Sequence, residues 1–470
     1  MILPVPKDSR PDFVVPSPWL AVLLAGCFLA LTGGAARAQT TVGADTQQPA
    51  TPAAPIVISL EEALKRAQAN EPSFATALAD SRVAGLDKSI ARAGLLPSVT
   101  YHNQALYTQP NGQGQGVNSE TFKFIANNSV HEYASQAVIN EDIGLAQISA
   151  VHRADAAAAV ASAELEIVRR GLVATVTGLY YGLAAADHKV SIAQSAADEA
   201  AAFTKLTTQR EQVREAAHAD TVKAQLEQQG RDRELSDAKL NADKTRLELG
   251  VLLFPDPRTP YSINVPEAPA ILYSRDEVNQ LAARNNAELK SAMAALEVSK
   301  ADVTAARAAY LPTLGLNYTY GIDAPQFATY GPTGVNGVKV GNLGYSAMAT
   351  LDIPVWDWLA TEHKVKQSEI RRDEAKVLLT ATQRRLIAQL DEAYAEAEAA
   401  RAQLSSLDSS VSTAAESLRL AKLRYTGGEA TVLEVVDAQA AFITAANARE
   451  DGRVRYESAL AQLQTLTGKM

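Results

Sequence analysis

Twice along this chain a helical spacing of apolar residues gives way to a strict alternation of apolar and polar ones. The first helical run opens at "ISLEEALKRAQ". There Ser59 offers a side-chain oxygen to orphan amides and Glu62 stands three residues on, the pattern of a capping box. "SRDE" at Ser274 repeats the device with Glu277. Each run predicts a helix of about 37 residues, stopped by Pro97 or Pro312, because proline has no amide to donate and pushes the preceding residue out of the α region. Beyond Pro97, Val99, Tyr101, Ala105 and Tyr107, interrupted by Asn103, alternate with Thr100, His102, Gln104 and Thr108. Beyond Pro312, Leu314, Leu316, Tyr318, Tyr320 and Ile322 alternate with Thr313, Gly315, Asn317, Thr319 and Gly321. Both patterns predict strands with one apolar face.

A Gly/Asn-rich connection follows each strand, "QPNGQGQGVNSE" or "YGPTGVNGVKVGN", and then a second alternating run. The later of these, Leu343, Tyr345, Ala347, Ala349, Leu351 and Ile353, is clear; the earlier, in 133–139, is weaker. Two very long helical runs come next, over 146–212 and 359–425. Each is broken once, near "REQVREAAHAD" or at "RYTGGEA", and a shorter helix then runs to Phe254 or to the end of the chain. At ~1.5 Å per residue the long helices reach on the order of 100 Å. Alanine fills many of their apolar positions, as in "ADAAAAVASAELE", which lets helices pack closely while Glu, Gln, Arg and Lys cover the other side.

These echoes share one offset. Pro97 and Pro312 are 215 residues apart (312 − 97), and the same shift carries Ser59 to Ser274, Glu62 to Glu277, Asn70 to Asn285, Asp87 to Asp302 and Arg92 to Arg307. Matches of Asn, Asp, Arg and Pro do not arise from alanine richness, so the chain reads as two copies of one unit. The expected organisation is an export segment (1–38), a Pro/Thr/Gln-rich lead-in (39–57), a first repeat (58–254), a proline-rich link (255–273) and a second repeat (274–470).

Composition narrows the function. A net charge of −9, with no basic run interleaved with aromatics, excludes a nucleic-acid binder. Lys7 and Arg10, then "WLAVLLAGCFLALTGG", then the A-x-A site "ARA" before Gln39, read as an exported chain cleaved after Ala38. Cys27, the only cysteine, lies in "LAGC", which also resembles a lipoprotein box and makes Cys27 a candidate for lipidation. No later stretch approaches the ~20 apolar residues of a spanning helix. The six histidines are scattered without paired-ligand spacing, and no phosphate loop or nucleophile elbow occurs; no enzyme, metal site or cofactor is read. For an exported chain, the amphipathic strand pairs fit a closed membrane β-barrel better than a soluble sandwich. Four strands cannot close around a pore, so several chains must contribute. Pro97 and Pro312 then mark where a helix outside the bilayer becomes a strand within it.

This order, with the doubled Leu-Pro junction and the segment "RYTGGEATVLEVVDAQ", resembles the TolC-like outer-membrane efflux proteins over nearly the whole chain after the lead-in. The resemblance implies a mainly α fold with a membrane β region. It implies a homotrimer whose protomers jointly form a twelve-stranded β-barrel in outer-membrane lipid and an α-helical barrel through the periplasm. Transport would be passive, with a periplasmic adaptor and an inner-membrane pump supplying cargo and energy. The periplasmic tip that meets the adaptor would be 425–431 with Gly427 and Gly428, and, in the first repeat, the turn near Arg214, which lacks the glycine the family often has there. Glu434 and Asp437 match the acidic residues that line the family's narrowest point, and their spacing of three puts both on one helix face. Tyr425 matches a clamp tyrosine and Asp220 its acidic partner, so a hydrogen bond between them is the expected closing contact, weakened because Ala430 replaces an arginine of that clamp. A competing reading, a periplasmic coiled-coil adaptor or scaffold, explains the long helices but not the tyrosine-bearing strand pairs.

Overall fold

The computed structural model describes residues 56–107, 131–266, 270–324, 326–333 and 337–469. The expected export segment, Cys27, nearly all of the lead-in and the first Gly/Asn-rich connection lie outside them. In chain order the elements are β1 (Ile56–Ile58), α1 (Leu60–Asn70), α2 (Pro72–Ala93), β2 (Ser98–Tyr107), β3 (His131–Ile143), α3 (Leu145–Gln212), α4 (His218–Leu253) and β4 (Tyr261–Ile263). The second half continues with α5 (Arg275–Asn285), α6 (Ala287–Ala308), β5 (Thr313–Ala324), β6 (Tyr330–Thr333), β7 (Lys339–Gly341), β8 (Leu343–Asp352), α7 (Ala360–Thr426) and α8 (Val432–Thr467).

The helix expected before each proline is in fact two. Ser59 and Ser274 cap α1 and α5 through the amides of Glu62 (3.3 Å) and Glu277 (3.4 Å), as the sequence suggests. Glu62 does not return the bond; its carboxylate takes Arg66 instead (2.8 Å). The chain then leaves helical geometry at Glu71, where Pro72 offers no amide and the Glu71 carboxylate caps Ser73. In the second copy Asn286 does the same without a proline, its Oδ1 accepting from Leu289 N (2.8 Å). The second strand connection also carries a small β6–β7 ribbon that alternation alone does not reveal.

Strands β2, β3, β5 and β8 form one antiparallel sheet in that order, so the hairpins of the two halves meet at the β3–β5 seam. Its register builds rows of apolar residues: Val99, Ile139, Tyr318 and Ala347 in one, Tyr101, Ala137, Tyr320 and Tyr345 in the next. Val99, Tyr101, Tyr318, Tyr320 and Tyr345 are all exposed, with the rings of Tyr318 and Tyr345 stacked at 6.2 Å. The apolar side of this sheet covers no core of its own chain, which is the reverse of a soluble sandwich. Strands β2 and β8 are its edges.

Helix packing joins the halves. α3 packs on α2 and α4 of its own half and on α6 and α8 of the other, while α7 packs on α6 and α8. One core surrounds Leu172, Val176, Tyr180, Leu249 and Leu253; a second surrounds Leu386, Leu390, Tyr456, Leu460 and Leu463. A belt of extended chain crosses both. Strand β1 pairs with β4 in parallel, and the Tyr180 hydroxyl lies 3.0 Å from Ile58 O and 2.6 Å from Asn264 O. On the far side Tyr456 donates to Ala270 O (2.7 Å), and Ala270 N donates to the buried carboxylate of Glu457 (3.4 Å). Among the described residues no helix is long and apolar enough to cross a membrane.

Candidate functional site

The two helix-to-helix turns far from the sheet, α3 to α4 and α7 to α8, are built alike. Arg214 N and Gly428 N close on the carbonyls of Glu211 (2.9 Å) and Tyr425 (3.1 Å). Glu215 N and Glu429 N reach one step further, to the carbonyls of Arg210 (2.8 Å) and Arg424 (2.9 Å). This double closure satisfies orphan carbonyls at a helix end and needs a left-handed residue. That residue is Arg214 in the first turn (φ 63) and Gly428 in the second (φ 80). Gly427 beside it is right-handed (φ −75) and supplies only the end of α7. Helix α8 then starts with a complete capping box: Thr431 Oγ1 accepts from Glu434 N (3.3 Å) and the Glu434 carboxylate accepts from Thr431 N (3.3 Å).

Tyr425 is nearly buried where α7 meets α3, packed with Val432 and Val435 from α8. Its ring lies 4.9 Å from that of Phe203. Its hydroxyl faces Thr207 Oγ1 (3.4 Å), so the partner sits on α3 and is not the expected Asp220. The reason is geometric: the apolar contacts with Phe203, Val432 and Val435 direct the ring into the α3 side of the turn, whereas Asp220 lies in the first turn of α4. Arg210 adds the strongest polar tie between the two tips. Its Nη1 and Nη2 donate to the carbonyls of Tyr425 (2.9 Å) and Thr426 (2.8 Å), and its guanidinium lies 4.9 Å over the Tyr425 ring. A cation on the last carbonyls of a helix is favoured by the helix dipole and, here, by the aromatic face.

Glu434 and Asp437 are both exposed on α8. Glu434 is already engaged, since Arg424 Nη1 lies 3.2 Å from its carboxylate while Arg424 Nη2 donates to Glu429 O (3.1 Å). Neither arginine was singled out from sequence. The available signal was positional: Arg210 and Arg424 are the basic residues in the last turns of α3 and α7. Pro97 and Pro312 stand at the two helix-to-strand junctions, directly before β2 and β5. Among the described residues no group of His, Cys, Asp or Glu is placed to hold a metal ion.

The segment carrying this second tip, residues 278–469, matches the family model described as outer membrane efflux protein. Over that segment the chain is similar to this family. The chain is 26% identical over 168 residues to the outer membrane protein OprJ of Pseudomonas aeruginosa, an alignment that covers 36% of this chain and only 34% of OprJ. Protein CyaE of Bordetella pertussis is 25% identical over 415 residues, covering 87% of this chain and 82% of CyaE. The fold matches the CmeC outer membrane channel of Campylobacter jejuni with a TM-score of 0.72 at 16% identity, over 87% of this chain and 85% of that one. The chain therefore has the fold of a protomer of that channel, long packed helices joined to a four-stranded antiparallel sheet.

Proposed function

We propose that this chain is the outer-membrane exit duct of a tripartite efflux or type I secretion system. Three copies form a pore that conducts cargo passively from a periplasmic adaptor and an inner-membrane pump to the exterior. The observation that carries this reading is the four-stranded sheet with an exposed apolar face and two unpaired edges. Lipid suits such a face, and only further strands satisfy the edges there.

The helices support assembly with further copies in the same way. Val173, Ala301 and Ala461 are buried, whereas their repeat equivalents Ile387, Leu86 and Leu247 are exposed. Arg170 donates to Thr465 O (3.1 Å) across the join, while its equivalent Arg384 is exposed, as is Val251, the equivalent of Thr465. A contact made once inside the chain is left open at both ends, as in a ring that other copies complete.

The tip is the gate in this reading, with Arg214, Gly427 and Gly428 on the surface offered to the adaptor. Glu434 and Asp437 of three copies make stacked acidic rings that favour cations. The test is single-channel conductance in planar bilayers, comparing wild type with Glu434→Ala/Asp437→Ala. A small, cation-selective conductance that loses its selectivity in the variant is expected. Conduction with unaltered selectivity would remove the rings; recovery of the chain in a soluble periplasmic extract would favour the scaffold reading.

A further inference from the structure

The two tips share a backbone but not a filling. A shift of 214 residues (428 − 214) matches their left-handed residues and carries Glu211 to Tyr425, His218 to Val432 and Thr221 to Val435. In the second tip those positions make an apolar cluster, Tyr425 with Val432 and Val435. In the first tip they carry an ionisable pair: His218 Nδ1 lies 2.7 Å from Glu211 Oε1, and Thr221 is buried. Glu211 sits in the last turn of α3 and His218 is the first residue of α4, so the pair spans the connection between them. Glu211 thereby holds the turn twice, its carbonyl accepting from Arg214 N (2.9 Å) and its carboxylate meeting His218. This is also the turn that puts a residue with a Cβ in the left-handed region, where the second tip has Gly428. What apolar packing does for the second tip is left here to a contact whose strength depends on charge.

We propose that the first tip is a pH-tuned turn: with His218 protonated, its ion pair with Glu211 orders the α3–α4 connection, and deprotonation loosens it, while the second tip does not respond. Histidine is the side chain whose charge changes between about pH 5 and 8. Glu211 is the charged group in contact with it. The others nearby in the chain are Arg210, which is turned to the α7 carbonyls, Arg214 and Glu215 in the turn, and Asp220 in the first turn of α4. Carboxylates and guanidinium groups as classes keep their charge across that window. The sign follows: the imidazolium gains a partner only in the ordered turn, so the added stability is present in acid and is lost as the ring gives up its proton. A neutral ring can still donate a hydrogen bond from Nδ1 to the carboxylate but brings no charge. The His218 side chain is 80% exposed, which keeps the effect small and sensitive to salt. In the duct proposed above this turn is on the adaptor's side, so acid pre-orders the surface offered to that partner; the order of the turn itself does not depend on that reading.

The test is hydrogen exchange of the full chain read by mass spectrometry at about pH 5.5 and about pH 8. Each rate is divided by the intrinsic rate at that pH, and the peptide over the second turn serves as internal reference. Protection of the first-turn amides relative to the second is expected to fall by about two- to fivefold from the lower to the higher pH, and by less in about 1 M salt. His218→Gln, which keeps a hydrogen-bonding side chain but never charges, should abolish the fall, as should Glu211→Gln. His218→Arg, a cation at both pH values, should leave the turn protected at both. A wild-type ratio that does not move with pH, or a fall that survives His218→Gln, would overturn the proposal whatever the assembly of the channel.

Discussion

Arg210 Nη1 donates to the carbonyl of Tyr425 at 2.9 Å while the guanidinium lies 4.9 Å over that residue's ring, so one side chain of the first repeat holds both backbone and aromatic face of the second. The helix-end charge and the cation–π contact are each worth about 0.5–1 kcal/mol at such partly exposed sites. Arg210→Ala should therefore loosen the tip by roughly 1–2 kcal/mol and raise single-channel conductance. Arg210→Lys should fall between, since an ammonium cannot place two fixed donors on adjacent carbonyls. Tyr425→Phe should change little, because the hydroxyl contact with Thr207 is long at 3.4 Å. Asp220→Ala should leave conductance unaltered; an increase equal to that of Arg210→Ala would restore the tyrosine–aspartate clamp.

Arg214 occupies a left-handed conformation (φ 63) that its equivalent, Gly428, adopts with no Cβ to accommodate (φ 80). An L-residue with a side chain pays roughly 1 kcal/mol there. Arg214→Gly should stabilise the first turn by about that amount and slow hydrogen exchange of the amides just after it by roughly fivefold. Gly428→Ala should do the opposite to the second turn. Faster exchange in Arg214→Gly would mean that the arginine side chain contributes contacts outweighing the backbone strain.

The helix-to-strand switch was legible in the sequence because it depends on local chemistry: Pro97 and Pro312 end helices wherever they stand, and the period changes within a few residues. The alternating apolar faces that carry Val99 and Tyr318 were legible for the same reason; the register that puts the two in one row was not. The break at Asn286 was not, since an asparagine inside an otherwise helical pattern declares itself as a cap only when the Leu289 amide turns to meet it. The grip of Arg210 on Tyr425 was hidden more deeply. It joins residues far apart in the chain and falls on backbone carbonyls, which carry no residue identity; only the tyrosine end, through family resemblance, pointed there.

Gly321 sets the closest approach at the seam between the two hairpins. A Cβ there would lie 2.1 Å from Ser135 O and 2.6 Å from Gln136 Cα, and neither backbone atom can move without breaking the β3–β5 ladder. Gly344, directly opposite on β8, has nothing within 4 Å of the equivalent position. Gly321→Ala should cost about 1–3 kcal/mol or more, as overpacking does, and reduce the heat-modifiable folded band on gels. Gly344→Ala should fold like wild type. Equal behaviour of the two variants would show that the seam opens more readily than its ladder implies.

Two carboxylates near the belt and helix joins should give the protein opposite responses to acid and base. Glu457, 4% exposed and bonded by Ala270 N, has its pKa pushed up, first by burial, with Arg453 acting against that shift. Its protonated form suits the fold. The stability it contributes is complete below the unfolded carboxylate range and is lost as pH rises through the raised value. Glu166 is the reverse: the Arg169 hydrogen bond, and then that of Arg170, hold it down to about 2. Its contribution is present above the unfolded value near 4.5 and disappears as pH falls toward 2. Glu457→Gln keeps an acceptor for Ala270 N but never ionises, so it should gain stability over wild type on the alkaline side and match it on the acid side. Glu166→Gln should lose stability at neutral pH and remove the steepest part of the acid transition. Thermal unfolding followed by circular dichroism across pH reads both slopes at once. If Glu457→Gln and wild type keep the same separation at every pH, the carboxyl is not titrating in the fold, and the raised pKa is wrong.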